Sequence, residues 1–166
     1  MNFSVAIERV LGHEGGYAHR PYADDPGGET NWGITIATAR ANGYSGDMKT
    51  MNRNEAIVIY KRAIWDRNYL DQMDFAIAFQ VFDGIVNHGA GNAVKWLQEA
   101  VGVAKDGAIG PQTIAAVNEV DPMYVVLKFN SSRLVFYTQL SNWDANSRGW
   151  TRRVAGNLRY AQEDLA

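Results

Sequence analysis

The chain has 166 residues, 46% of them hydrophobic and 20% charged, with a formal net charge of −2. That length buries a core without staples, as one domain or two closely packed lobes, and the lack of any cysteine excludes disulfides and thiolate metal sites. A near-neutral balance gives no electrostatic footprint of a nucleic-acid binder, so no such partner is expected.

The first fifteen residues, MNFSVAIERVLGHEG, carry Glu8 and Arg9 inside their apolar pattern and do not read as a secretory signal. No run approaches the ~18 apolar residues of a membrane-spanning helix. The expectation is a chain made in the cytoplasm without a signal peptide and without stable membrane association. A target outside the membrane would require separate delivery.

Phe3, Ile7, Val10 and Leu11 recur at helical spacing and predict a short amphipathic helix over 2–12, stopped by Gly12. Residues 15–33 hold several glycines and two prolines with no periodicity, which predicts an ordered loop with at most a small β-hairpin. A short helix over 34–41 ends at Asn42-Gly43. Asn52 and Glu55 have the form of a capping pair leading into a helix through Ile57, Tyr60, Ile64 and Trp65. Asp74 caps an apolar helix over 75–86, and 91–101 repeats the helical pattern until DGAIGP breaks it. Pro111 and Pro122 suit first helical turns, the second behind Asp121 as cap. A long helix follows to about residue 140, then a loop over 143–149 and a last helix bearing Trp150, Val154 and Leu158. The four arginines from Arg148 to Arg159 read as a solvated face. The fold class is mainly α.

Chemistry concentrates in residues 14–35, EGGYAHRPYADDPGGETNWGIT. Glu14 lies just past a core-packed helix, where burial would keep its carboxyl protonated and able to donate to a leaving oxygen. Gly15 and Gly16 leave room for a bulky substrate. Asp24 and Asp25 precede a Pro-Gly-Gly turn that fixes where they point, and one of them can face a cleft while the other serves the turn. An acid and a carboxylate across a bond is the arrangement that glycoside cleavage uses, and the Thr30 hydroxyl can hold a water. Aromatic rings stack on sugar faces, and Tyr17, Tyr22, Trp32, Trp65 and Tyr69 are available, most of them as core. Asn31, Asp83, Asn87 and His88 supply polar groups, with Asp83 and Asn87 on one helix face. His13, His19 and His88 match no common ligand spacing, so neither a metal nor another cofactor is expected.

EGGY, DPGGETNWGIT, AIVIYKRAIWD, FDGIVNHGAG, DGAIGPQT and GWTRRV, in this order over most of the chain, resemble the glycoside hydrolase family 108 lysozymes. The resemblance implies a helical, lysozyme-like enzyme, an endolysin-type N-acetylmuramidase of phages and related bacterial proteins. Such an enzyme cuts the β-1,4 bond between N-acetylmuramic acid and N-acetylglucosamine in bacterial peptidoglycan and so lyses the wall. It further implies residues 1–88 as the muramidase region and 89–166 as a peptidoglycan-binding-like region, whose helices could equally be the second lobe that closes the cleft.

Glu14 is the family's glutamate by its place in EGGY. Asp25 opens DPGG as the family's aspartate does, whereas Asp24 keeps the five-residue gap to Thr30 of phage-type lysozymes; both stay open as base or stabiliser, with Thr30 holding water. Tyr17, Asn31, Trp32, Asp83, Asn87 and His88 are the expected substrate contacts. A monomer is expected, reaching the wall after release, through a holin if phage-encoded. Two rivals are a lytic transglycosylase acting on the same bond and a non-catalytic wall-binding or secretion accessory protein.

Overall fold

The computed structural model describes residues 2–12, 16–19 and 28–166, and the chain divides into two units between Arg67 and Asn68. The described residues are mainly helical, as the periodicity predicts.

In the first unit, helix α1 (Asn2–Leu11) turns Ala6, Ile7, Val10 and Leu11 into the core and ends where the Gly12 amide donates to the Glu8 carbonyl at 3.1 Å. Three short strands follow, β1 (Ala18–His19), β2 (Glu29–Asn31) and β3 (Ile34–Thr35), forming an antiparallel sheet in that order. The sequence reads Ile34 as the start of a helix, and the structure corrects this. Trp32 and Gly33 have φ of 52° and 74°, the signature of a two-residue hairpin turn, so Asn31 pairs with Ile34 and Thr30 with Thr35. Thr35 then caps α2 (Ile36–Ala41), its hydroxyl accepting from the Thr38 amide.

Helix α3 (Arg53–Tyr60) opens on the capping box that Asn52 and Glu55 predict. The Glu55 amide donates to Asn52 at 3.1 Å and the Asn52 amide to Glu55 at 2.8 Å. Residues Lys61–Asp66 continue it as a π-helical turn. There Trp65 is fully buried, its ring centroid 5.4 Å from that of Phe3.

The second unit is organised on α4 (Phe75–Val101), capped by Asp74 and bent at Gly89 (φ 76°, ψ 157°). Helices α5 (Pro111–Glu119) and α6 (Pro122–Thr138) each begin on a proline, and Asp121 caps the second. Phe79, Phe82, Leu97 and Phe129 fill the core at 0–1% exposure. Gly84 lets α6 approach closely, since a Cβ there would stand 2.9 Å from Phe129 Cζ and 3.1 Å from Ala93 Cβ.

Helix α7 spans Trp143–Asp164, so the expected loop over 143–149 is helical. Asn146, Ser147 and Gly149 have weak helix propensity, but ring contacts override it: Trp143 lies 6.3 Å from Trp150, and Trp150 lies 4.9 Å from Tyr137. The arginine-rich stretch is not solvated throughout either, because Arg153 turns inward to Asp83.

Candidate active site

In the first unit the small sheet gathers Tyr17, Thr30, Asn31 and Trp32. Tyr17 donates to Glu29 Oε1 at 2.7 Å, and that bond to a carboxylate pushes its phenol up to about 12. Lys49 Nζ sits 5.5 Å from the centroid of the same ring. The Thr30 hydroxyl reaches the Ala18 carbonyl at 3.4 Å, a long bond that leaves both oxygen lone pairs able to accept from water.

Asn31 departs from the expectation of a sugar contact, whereas Trp32 is half-buried and is held through its polar atoms. Asn31 is 5% exposed and spends an amide proton on the Met48 carbonyl at 2.7 Å. The Trp32 indole donates to the Met51 carbonyl at 2.9 Å, while its own carbonyl accepts from the Tyr60 hydroxyl at 2.8 Å. A bulky residue at positive φ is costly and persists only where its surroundings over-determine it. These two bonds do so, and they hold the strand that carries Thr30. Glu14, Asp24 and Asp25 lie outside the described residues.

In the second unit, Asp83, Asn87 and His88 share α4, but Asp83 does not line a cleft. It is 2% exposed, and its carboxylate meets Arg133 Nη1 at 2.7 Å, Asn157 Nδ2 at 2.7 Å and Arg153 Nε at 2.8 Å. Burial alone would push this carboxyl up, yet the Arg133 and Arg153 guanidiniums outweigh it and hold the group below the usual range. Asn87, the expected i+4 neighbour, donates to the Asp83 carbonyl at 2.7 Å.

His88 completes the network. Arg133 Nε donates to the Tyr137 oxygen at 2.6 Å, which leaves the phenolic proton for His88 Nε2 at 2.8 Å. The imidazole is thus a neutral acceptor with its proton on Nδ1. Burial first, then the charges of Arg133 and Arg153, push it down to about 4 against the opposing pull of Asp83.

Sequence reasoning missed Arg133 and Asn157. The available signal for Arg133 is its position four residues from both Phe129 and Tyr137, on a face that is wholly buried. A charge there requires a buried partner.

The profile of the glycosyl hydrolase 108 family matches residues 7–89, and that of the family described as "Predicted Peptidoglycan domain" matches residues 92–155. The first match ends at the Gly89 bend and the second begins three residues further on. Among solved structures, the chain is similar to that of SagA from Brucella abortus, with 32% identity, 97% of this chain and 94% of that one covered, and a TM-score of 0.84. No curated protein matches. With the mainly α, lysozyme-like fold, these findings define a glycoside hydrolase that acts on peptidoglycan. The chain belongs to the glycosyl hydrolase 108 family.

Proposed function

We propose that the chain is an N-acetylmuramidase of the endolysin type, which hydrolyses the β-1,4 bond between N-acetylmuramic acid and N-acetylglucosamine and so lyses the bacterial wall. The observation that carries this reading is the family match over residues 7–89, which contains Glu14, Asp24, Asp25 and Thr30. In this reading Glu14 protonates the leaving glycosidic oxygen. Asp25 or Asp24 activates water or stabilises the developing positive charge on the sugar, and Thr30 holds the water. The long Thr30 contact and the anchored Asn31–Trp32 turn behind it support that role.

In the same reading the active form is a monomer that reaches the wall after release, through a holin if it is phage-encoded. No described helix is long and apolar enough to cross a membrane by itself.

Glu14→Gln tests the assignment. It is expected to abolish turbidity loss of purified sacculi while leaving the helical circular dichroism and melting temperature unchanged. Mass spectrometry of the wild-type digest is expected to show reducing ends. Products lighter by one water would identify a lytic transglycosylase, and near-normal lysis by the variant would sink the role given to Glu14.

A further inference from the structure

In the second unit, the turn before α4 and the start of α5 enclose a cavity of about 470 Å³, lined by Tyr69, Gln72, Ile109, Gly110, Pro111 and Ile114, with Ala115 at its edge. That is the size of a small-ligand pocket, and its walls are fixed from behind. Gln98 spans the DGAIGP loop, donating to Asp106 at 2.6 Å and to the Ala108 carbonyl at 3.0 Å, and accepting from the Gly107 amide at 3.0 Å. Asn118 of α5 donates to the Gln72 carbonyl at 3.1 Å and ties the opposite wall to the helix. Tyr69 is held at φ 54°, a conformation rare for a bulky side chain, and is still 50% exposed. A large ring in such a place presents itself to a ligand more than it serves the core.

The lining carries no charged side chain. Stem peptides of the wall bear free carboxylates, for which nothing here would compensate. A neutral sugar fits better: its apolar face stacks on the Tyr69 ring, its acetamido methyl packs against Ile109 and Ile114, and the Gln72 amide can take a hydroxyl or the acetamido group. Ile109, Gly110, Pro111 and Ile114 fall in the stretch matched by the peptidoglycan-domain family, whereas Tyr69 and Gln72 fall in the glycosyl hydrolase stretch. We infer that this cavity is a glycan subsite that seats one N-acetylated hexosamine of the wall strand, built jointly by both stretches. It rests on the peptidoglycan reading above.

The test uses the full chain and two variants, Tyr69→Ala, which removes the stacking ring, and Ala115→Phe, which fills the cavity from an exposed helix position. The probe is immobilised wall glycan stripped of stem peptides, with retention measured in the cold and reducing ends measured on warming. Loss of the stacking ring in the first variant and occlusion of the cavity in the second are each expected to weaken retention about tenfold, raising KM with kcat unchanged. Unchanged retention in either folded variant overturns the subsite. Wild-type retention that requires intact stem peptides overturns it as well. Failure of the wild type to release reducing ends would instead count against the muramidase reading, and the retention measurement would still decide the subsite.

Discussion

Acidification should weaken the second unit through His88 before it affects Asp83. His88 is held neutral, pushed from 6.5 to about 4, whereas in the unfolded chain it takes up a proton near 6.5. Above that value both states are neutral and the stabilisation is complete. As pH falls through the interval the unfolded state binds the proton first, and the stabilisation is gone once pH passes the folded value. The gap between 6.5 and about 4 corresponds to about 3 kcal/mol at ~1.36 kcal/mol per pH unit. Solvent contact at the half-buried ring lowers that to about 2 kcal/mol.

Proton NMR of the imidazole Cε1–H resonances, with His88→Gln to assign the signal, reads the titration directly. Urea unfolding near neutral pH and near pH 4.5 should show wild type losing about 2 kcal/mol more than His88→Gln. Asp83 contributes in a lower window, since its depressed carboxyl stabilises the fold above the ordinary carboxylate value and only further acid removes it. A His88 signal titrating at or above 6.5, or identical acid sensitivity in the variant, would refute the arrangement of Arg133, Tyr137 and His88 described above.

Two stability predictions follow from the same helices. Arg133→Met removes the fully buried partner of Asp83 and should cost about 3–5 kcal/mol in chemical denaturation, because a buried carboxylate loses one of its two guanidiniums. A loss below about 1 kcal/mol would mean that Arg153 alone suffices. Gly84→Ala places a methyl 2.9 Å from Phe129 Cζ and should cost about 1–3 kcal/mol by overpacking, read as a lowered melting temperature. The gain normally expected of glycine to alanine in a helix would contradict the close approach.

Local chemistry was legible in the residues, and long-range pairing was not. The Asn52–Glu55 capping box, the Asp74 and Asp121 caps and the prolines opening α5 and α6 are each decided within four residues, and all appear as the sequence predicts. The 143–149 stretch failed because its helix depends on rings brought by Tyr137 and Trp150, against its own propensity. The third strand failed because Trp32, an unusual residue at positive φ, gives no turn signal. Asp83 and Asn87 were rightly placed on one face, but Arg133 and Arg153 lie 50 and 70 residues further on, and spacing within one helix cannot say which way that face turns. Thr30 sits on the small sheet of the first unit, with Tyr17 just before its first strand and with Asn31 and Trp32 as its anchors.

The bend at Gly89 bears on how such enzymes can be recombined. Its φ of 76° and ψ of 157° lie in a region essentially reserved for glycine, and family resemblance would divide the protein there. Physically that cut falls at a break in α4, between two helical halves that belong to the same unit. The first half carries Asp83 and His88, held by α6 and α7, and the second half carries Gln98, which holds the DGAIGP loop. A chimaera that exchanges wall-recognition parts at the bend would separate Phe82 and Asp83 from the Phe129 and Arg133 that cover them. The seam at Arg67 and Asn68 leaves each of these partners with its own and is the place to join modules from different relatives.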